Sequence, residues 1–221
     1  MTLNDVSLLI ATFNEEESIN FVLNEIKDYG FGEIIIIDGN SSDKTIEIAS
    51  NYDVKILTQA KPGWGSAVKE GLKHCTKKYI TYIDGDGSYN PKSIIEMRNL
   101  IKNYDAVFCS RYKDGHTSPD DTPIRALGNK IFTFLVRSKF KCEITDSLFF
   151  YPMLSKELLN KIDLRSNDFT LCLELPAIVH KKGLRYTEIL SIERERYSGI
   201  SKVNAITDGF KILLGILKLE N

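Results

Sequence analysis

Apolar and polar positions alternate with two different periods along the first half of the chain. Short apolar runs rich in β-branched residues are typical of strands buried on both faces of a parallel sheet. These runs predict strands at residues 7–13, 33–38, 54–58, 79–84 and 106–110. Apolar residues at helical spacing between them predict helices at residues 18–27, 45–51, 66–76 and 91–102. Strand, helix and strand in this order predict right-handed crossovers and a doubly wound α/β layer.

The pattern changes after residue 110. Residues 111–123 are polar and include Gly, Ser, Pro and three Asp, so they predict a surface loop. Further helices are predicted at residues 124–136, 155–162, 168–180 and 203–219, and further strands at residues 147–151 and 185–192. No internal repeat or long linker separates two units. We therefore expect one domain, in which the second half completes a site that the first half begins.

Composition narrows the class of protein. Hydrophobic residues make up 43% and charged residues 27% of the 221 positions, as in an ordinary globular chain. The chain has 29 Lys and Arg and 30 Asp and Glu, so its net charge does not favour binding to nucleic acid. We therefore expect no nucleic-acid partner. The four cysteines are widely spaced without a CxxC pair, which favours buried thiols of a reducing compartment over disulfides or zinc ligands.

Signals for secretion or membrane insertion are weak. The first residues lack the basic segment of a signal peptide. The longest apolar window, residues 210–219, contains Lys211 and Lys218 and is about half the length of a membrane span. We therefore expect a cytoplasmic protein that is either free or peripheral on the cytoplasmic face of a membrane.

Polar residues follow four of the predicted strands. In open α/β sheets, ligands bind outside the carboxyl ends of the strands. The residues at these ends are Thr12, Asn14, Glu15, Asp38, Asp84, Asp86, Ser110 and Arg111. Carboxylates at three neighbouring strand ends repel one another unless a positive charge lies between them. A bound divalent cation meets this need.

Asp84 and Asp86 are the strongest candidates for cation ligands. Residues i and i+2 of an extended segment project to the same side, and Gly85 leaves room for a ligand near the backbone. Oxygen donors of this kind favour Mg²⁺ or Mn²⁺. A calcium loop is excluded, because Tyr89 stands where that loop needs Gly and Ile95 where it needs Glu. A solvated acidic turn without a cation stays open as the alternative.

Other motifs of nucleotide or hydrolytic enzymes do not occur. The chain has no GxxxxGK[ST] segment, which excludes a phosphate-binding P-loop. Residues 63–65 contain only two of the three glycines of a dinucleotide-binding fingerprint. They also follow the wrong strand for that motif, which argues against a Rossmann dehydrogenase. No Gly-x-Ser-x-Gly turn is present, and the three histidines are scattered and show no nucleophile pattern.

A set of motifs carries a family resemblance over about residues 5–205. The first-half motifs are Ser7-Leu-Leu-Ile-Ala-Thr-Phe-Asn-Glu-Glu-Glu-Ser-Ile19, Ile34-Ile-Ile-Ile-Asp-Gly-Asn-Ser-Ser-Asp-Lys-Thr45, Lys61-Pro-Gly-Trp-Gly-Ser-Ala67, Tyr82-Ile-Asp-Gly-Asp-Gly87 and Cys109-Ser-Arg-Tyr112. The second-half motifs are Thr145-Asp146, Leu173-Glu-Leu-Pro176 and Arg196-Tyr-Ser-Gly-Ile-Ser-Lys202. In order and spacing they resemble family 2 glycosyltransferases of the GT-A fold. The last motif resembles the dolichol-phosphate or polyprenol-phosphate mannose synthase-like branch.

The resemblance implies a division of the chain and a role for each matched residue. Residues 1–112 would bind a nucleotide sugar of the GDP-mannose or UDP-glucose type, residues 113–202 would receive the acceptor, and residues 203–221 would form an amphipathic helix. The nucleotide side comprises Thr12, Asn14, Glu15, Asp38 and Lys61. The cation site comprises Asp84 and Asp86, and the phosphate-facing residues are Arg111, Arg125, Arg196 and Lys202. Gly39 replaces a frequent second Asp, and Ser88 a frequent Gln, which leaves the nucleotide base and a third protein ligand open.

The expected reaction is a direct displacement at the sugar's anomeric carbon, with inversion. A cation and nearby Arg would offset the charge that grows on the leaving nucleoside diphosphate. A polyprenyl phosphate acceptor is largely dianionic at neutral pH and needs little help from a base. A hydroxyl acceptor needs one, and Asp146 is the best candidate, although a carboxylate that organises a turn explains Asp146 equally well. Lipid transfer is therefore expected to survive Asp146→Asn.

The last predicted helix bears on the choice of acceptor. Its apolar face comprises Ile206, Phe210, Leu213, Leu214 and Leu217. Lys211 and Lys218 lie where they can approach lipid headgroups, so a membrane surface is one expected partner. The helix can instead pack on its own domain, or pair with a membrane-partner subunit or a second copy in a homodimer. The functional alternatives are the same donor chemistry with a saccharide or phosphoglycerate acceptor, and a catalytically silent nucleotide-sugar-binding protein.

Overall fold

A computed structural model of the chain describes residues 2–118, 122–199 and 205–219, without the side chains of residues 205–208. Its strands are β1 (Val6–Thr12), β2 (Glu33–Asp38), β3 (Lys55–Thr58), β4 (Tyr79–Asp84), β5 (Ala106–Ser110), β6 (Pro152–Ser155) and β7 (Tyr186–Leu190). Its α-helices are α1 (Ile19–Ile26), α2 (Thr45–Ala49), α3 (Trp64–His74), α4 (Lys92–Leu100), α5 (Pro123–Phe140), α6 (Lys156–Leu159), α7 (Thr170–Lys181) and α8 (Ala205–Lys218).

The strands of the described residues form one seven-stranded sheet in the order β3-β2-β1-β4-β6-β5-β7. All neighbouring pairs are parallel except those that β6 makes with β4 and β5. The register places Thr12 beside Asp38 and Ala11 beside Asp84, so the polar ends of β1, β2 and β4 meet at one edge. The prediction of a mostly parallel α/β sheet flanked by helices is confirmed.

The strand predicted at residues 147–151 is wrong in position. The sixth strand is Pro152–Ser155 and runs antiparallel to both neighbours, while residues 147–151 approach it as irregular chain. Their apolar character reflects packing rather than strand pairing, because Phe149, Phe150 and Tyr151 are buried among aromatic rings. Pro152 is tolerated because it is the first residue of the strand, where its missing N–H costs least.

The main core lies between the sheet and its helices and includes buried aliphatic residues of β1, β2 and β4. Burial on both faces explains the continuous apolar runs in the sequence. All four cysteines are buried free thiols, as expected.

A second, smaller core joins the three longest helices of the second half. Val136 of α5, Leu173 of α7 and Ile212 and Ile216 of α8 pack together there. Lys139 of α5 also donates to backbone carbonyls at the end of α8, at 2.7 Å for Ile216. One face of α8 therefore packs on its own chain, while the other leaves its apolar residues exposed, among them Phe210 and Leu217. Within the described ranges, no helix is both long enough and apolar enough to cross a bilayer.

Candidate active site

Asp38 lies at the floor of the polar edge and is held by three protein donors. The hydroxyl of Thr12 donates to its Oδ1 at 2.9 Å, across the parallel register of β1 and β2. Ser41 donates through its hydroxyl to Oδ1 at 2.6 Å and through its backbone N–H to Oδ2 at 2.7 Å. Thr12 and Asp38 are both buried. The carboxylate is therefore fixed in place before any ligand arrives.

The loops after β1 and β2 are tied to each other. Asn14 has a positive φ of 52° and accepts a hydrogen bond from the backbone of Ser42 at 2.8 Å. Its own backbone N–H donates to the Ser41 hydroxyl at 2.9 Å, and the N–H of Glu15 donates to the Thr45 hydroxyl at 2.8 Å. Short polar side chains of this kind satisfy the turn backbone where no ladder can. The two loops consequently form one wall of the site.

Asp84 and Asp86 follow β4 as the sequence predicts, with Asp86 buried and Asp84 half-buried. Asp86 accepts from the backbone N–H of Ser88 at 2.9 Å and from its hydroxyl at 2.7 Å. Burial and the neighbouring charge of Asp86 raise the pKa of Asp84 to about 7. A divalent cation bound between the two carboxylates would offset their mutual repulsion.

Arg196 lies between two of the acidic residues. Its Nη1 is 2.6 Å from Oδ2 of Asp86, and its Nη2 is 2.9 Å from Oε1 of Glu15. The side chains of all three residues are largely shielded from solvent. Arg196 thus forms an ion pair with Asp86 in this structure, whereas the family resemblance implied that it faces a phosphate.

Residues 193–197, which follow the last strand, lie across the Asp84–Ser88 loop. Backbone N–H groups of Arg194 and Tyr197 donate to the carbonyls of Ser88 and Asp86 at 2.8 and 2.9 Å. Arg194 also pairs with Glu25 of α1 at 2.7 Å, which ties this segment to the first helix. These contacts join residues more than 100 positions apart, so no local pattern in the sequence indicates them.

Arg111 and Asp146 form a buried ion pair. The guanidinium donates to both carboxylate oxygens, at 2.7 Å from Nε and 3.0 Å from Nη2, and the Arg111 backbone N–H adds a third bond at 3.1 Å. Nη1 of Arg111 pairs with Glu193 at 2.9 Å. The Asp146 side chain has no exposed surface. This geometry supports the role of a carboxylate that orients Arg111 over that of a base which meets an acceptor hydroxyl.

The remaining predicted residues lie further out. Lys61 is exposed in the loop before α3. Arg125 is half-buried in the first turn of α5, where its N–H donates to the N-cap hydroxyl of Thr122 at 3.3 Å. Lys202 lies outside the described residues. Of the predicted site, the structure therefore brings together Thr12 with Asp38, Glu15 with Asp86 and Arg196, and Arg111 with Asp146.

Sequence reasoning missed three contributors to this edge. Tyr82 donates its hydroxyl proton to Oδ1 of Asp84, and Trp64 donates to the Tyr82 oxygen at 2.9 Å. Glu193 completes the pairing of Arg111. The period of two in a strand puts Tyr82 on the same face as Asp84, which is a signal that could have identified it. Trp64 and Glu193 have no comparable signal.

The donor set fits Mg²⁺ or Mn²⁺ held jointly with a substrate. Within the described ranges, no group of three or more His, Cys, Asp and Glu is arranged to hold a metal by itself. Mg²⁺ sites often use one or two carboxylates and complete their shell with substrate phosphate and water, which is what Asp84 and Asp86 allow. An all-protein metal cage is not what this arrangement offers.

Two cavities lie away from the carboxylates. One of about 950 Å³ lies between α7, α8 and residues 160–168. Another, of about 640 Å³, borders α5 and residues 141–145. Neither is lined by Asp38, Asp84 or Asp86.

A mostly parallel sheet, with acidic residues where β1, β2 and β4 end, defines the class of GT-A glycosyltransferases. Solved structures of glucosyl-3-phosphoglycerate synthase from Mycobacterium tuberculosis share this fold. The complex with phosphoglyceric acid superposes with a TM-score of 0.77 at 16% identity, over 96% of this chain and 78% of that one. A complex with Mn²⁺, UDP and phosphoglyceric acid superposes at 0.75, with 16% identity, over 98% and 79% of the two chains.

The chain belongs to glycosyl transferase family 2, whose profile matches residues 7–163. A glycosyltransferase of Haloferax volcanii, AglJ, is 30% identical over 97% of this chain and 70% of its own length. The dolichyl-phosphate hexose transferase of the same organism is 28% identical, over 99% and 95% of the two chains. The protein is therefore a glycosyltransferase, and these relatives are consistent with the dolichol-phosphate branch.

Proposed function

We propose that the protein transfers a hexose from a nucleotide sugar to a polyprenyl phosphate, with Mg²⁺ or Mn²⁺ as cofactor and inversion at the anomeric carbon. The observation that carries the proposal is the meeting of Asp38, Asp84 and Asp86 at one edge of the sheet, with Arg196 beside them. Residues 1–112 would bind the donor, residues 113–202 would complete the acceptor side, and the C-terminal helix would lie near the lipid.

The nucleoside would be held by the wall that the first two loops form. Thr12, Asn14, Glu15 and Asp38 belong to it. Ser41 holds the buried carboxylate of Asp38 in one orientation, and its oxygens can still accept further hydrogen bonds from a ribose or a base. Because this side chain is already ordered, binding costs less conformational entropy. Lys61 lies at the outer rim, where it can add long-range attraction for a diphosphate. Both UDP and GDP fit these contacts.

Asp84 and Asp86 would hold the divalent cation, which supplies charge stabilisation for the leaving diphosphate. Arg196 would then give up Asp86 and pair with a phosphate oxygen, for which its planar guanidinium is suited. Arg125 and Lys202 are the other proposed phosphate partners. Arg111 would contribute positive charge from its fixed position between Asp146 and Glu193.

A lipid phosphate is favoured as acceptor by the surface of α5. Four apolar side chains stand exposed along this helix at helical spacing: Ile124, Leu127, Ile131 and Phe134. Their exposed fractions run from 47% to 76%, which is unusual for a stripe on one helix. Arg125 and Lys130 flank the stripe, as expected of a helix that rests on anionic headgroups. The relative named as a dolichyl-phosphate hexose transferase supports the same acceptor class.

The burial of Asp146 agrees with this acceptor. A phosphate dianion brings its own negative charge to the anomeric carbon and needs no proton removed. A hydroxyl acceptor needs a base within hydrogen-bond reach. Because Arg111 occupies both oxygens of Asp146, the phosphate acceptor is the simpler partner for this site.

The donor side is tested by thermal shift with UDP-glucose and GDP-mannose, each with and without Mn²⁺. We expect one nucleotide sugar to raise the melting temperature in a cation-dependent way, since a ligand that binds the folded state stabilises it by mass action. Asp86→Ala should abolish the cation-dependent part, and Asp163→Ala, at an exposed ion pair, should keep it. An undiminished shift in Asp86→Ala would contradict the proposed cation site.

The acceptor side is tested by flotation with vesicles that contain anionic lipid. We expect the double variant Leu127→Gln, Phe134→Gln to float less than the wild type and to keep its nucleotide-sugar shift. Ile192→Gln removes another exposed apolar residue, which lies after β7 rather than on α5, and serves as the control. Unchanged flotation of the double variant, or hexose transfer to 3-phosphoglycerate but not to polyprenyl phosphate, would overturn the lipid acceptor.

A further inference from the structure

Three side chains form a hydrogen-bonded chain that ends on a proposed cation ligand. Trp64 is the protein's single tryptophan and the first residue of α3. Its indole N–H donates to the hydroxyl oxygen of Tyr82 at 2.9 Å. The Tyr82 hydroxyl in turn donates to Oδ1 of Asp84. This chain connects α3 to the end of β4.

The direction of both hydrogen bonds is set by chemistry. An indole N–H can only donate, so Tyr82 must accept from Trp64. The single proton of Tyr82 is then available for Asp84, which accepts as a carboxylate. Oδ1 of Asp84 is consequently tied to the protein, and Oδ2 is the oxygen that we expect to bind a cation.

The donors are held rigidly. Trp64 stacks on Phe169, with ring centroids 5.1 Å apart and planes at 21°, and meets the edge of Phe150 at the same separation. Tyr82 is 1% exposed. Gly63 enters α3 at a φ of 109°, and a Cβ there would lie 2.4 Å from the carbonyl oxygen of Asn167. The position of the indole is therefore set by both backbone and ring packing.

Packing alone does not explain the hydroxyl. A phenylalanine would fill the same aromatic cluster without a buried polar group, which costs free energy unless it is hydrogen-bonded. Asp86 is arranged in a similar way. The Ser88 hydroxyl donates to its Oδ1, and its Oδ2 pairs with the cationic Arg196. Each of the two carboxylates thus has one oxygen held by a protein hydroxyl.

We infer that Tyr82, oriented by Trp64, is a positioning residue that presents Asp84 to the divalent cation. This inference rests on the proposed function, since it presupposes that Asp84 binds the cation. Hydrogen-bond partners of metal-ligating groups fix the ligand's orientation, and their loss typically costs about tenfold to a hundredfold in metal affinity.

The test compares Tyr82→Phe with Tyr89→Phe. Tyr89 is a buried tyrosine of the same aromatic cluster, but its hydroxyl contacts the carbonyl of Phe150 at 3.3 Å rather than a carboxylate. Mn²⁺ affinity is measured by electron paramagnetic resonance at one fixed pH, without nucleotide and with UDP or GDP. We expect Tyr82→Phe to bind Mn²⁺ about tenfold to a hundredfold more weakly and Tyr89→Phe to match the wild type. Quenching of Trp64 fluorescence by Mn²⁺ should fall in parallel in Tyr82→Phe.

Two further results separate the explanations. Trp64→Phe should also weaken Mn²⁺ binding, by less than Tyr82→Phe, and it keeps the inference testable if Tyr82→Phe does not fold. If Tyr82→Phe is less stable to heat yet binds Mn²⁺ as the wild type does, Tyr82 is structural and the inference is wrong. If the wild type itself binds Mn²⁺ with neither UDP nor GDP, the proposed function fails instead.

Discussion

At the scale of single residues, the buried pair of Arg111 and Asp146 shows how firmly protein contacts hold two of the predicted site residues. Three hydrogen bonds from Arg111 end on one carboxylate that has no exposed surface. Removing one partner of such a pair leaves the other charge uncompensated in a medium that solvates it poorly. The sequence placed both residues near the site, but their mutual pairing depends on the loop after α5.

Asp146→Asn should lower the free energy of unfolding by about 3 kcal/mol, because it leaves the Arg111 charge without its main partner. Urea denaturation followed by circular dichroism measures the change. Asp163→Asn is the control, since the exposed pair of Asp163 with Arg165 should contribute well below about 1 kcal/mol. A loss for Asp146→Asn as small as that of the control would mean that Arg111 is solvated when its partner is removed.

This stability loss bears on the use of Asp146→Asn to distinguish acceptors. Transfer to a polyprenyl phosphate was expected to survive the substitution because that acceptor needs no base. Since Asp146 also orients Arg111, activity has to be compared at a temperature where the variant is fully folded. Survival under that condition would agree with a phosphate acceptor.

At the scale of elements, the packing of α8 depends on one glycine. Gly215 faces α7 so closely that a Cβ there would lie 2.3 Å from the Thr170 hydroxyl oxygen. Thr170 is buried and β-branched, so it has little freedom to move aside. Gly209, one and a half turns earlier on the same helix, has far more space, with the nearest atom of Phe132 at 3.8 Å.

These two glycines give a matched prediction. Gly209→Ala should stabilise the protein by roughly 0.5–1 kcal/mol, because alanine loses less backbone entropy in a helix. Gly215→Ala should destabilise it by about 1–3 kcal/mol, because the methyl group overfills the contact with α7. Both changes are read from the midpoint of chemical denaturation. Equal stabilisation by the two substitutions would mean that α8 does not pack on α7 as described.

At the scale of the whole molecule, the ion pair of Asp5 and Arg98 links the segment that leads into β1 to α4. The Asp5 backbone carbonyl also accepts from Tyr79, the first residue of β4, at 3.1 Å. The hydrogen bond from Arg98, reinforced by its charge, lowers the pKa of Asp5 below its ordinary value of 3.8 despite some opposing burial. A carboxyl whose pKa is lowered on folding adds stability above its unfolded pKa and loses it as the pH falls through the folded one.

The contribution of Asp5 to the free energy of unfolding should therefore decrease as the pH falls through the lowered pKa of this residue. We expect Asp5→Asn to be less stable than the wild type by about 0.5–1 kcal/mol at pH 7, the range of partly exposed ion pairs. The difference should persist down to about pH 5 and shrink below about pH 4, as Asp5 of the wild type is protonated. Urea denaturation at pH 7, 5, 4 and 3 measures it, with the exposed Asp53→Asn as control. A difference that grew toward low pH would contradict the lowered pKa.

The helices and strands of the first half follow the predicted order because their periods reflect burial directly. Continuous apolar runs lie in β1, β2 and β4, which are covered on both faces, and the helices expose one polar face. The prediction fails at residues 147–151, where a similar apolar run packs as irregular chain and the strand begins only at Pro152. A short apolar run indicates that its residues are buried, but it does not indicate whether their backbone forms a strand of the sheet.

The candidate site was likewise predictable from the sequence only in part. Local sequence places Asp38, Asp84 and Asp86 at strand ends, because a parallel sheet brings those ends to one edge. Arg196 on Asp86, Asp146 on Arg111, and Tyr82 between Trp64 and Asp84 are decided only by the folded chain. Hydrophobic period is a local property of the chain, whereas the pairing of charges and hydroxyls depends on which distant segments meet, and many pairings are compatible with one pattern of burial.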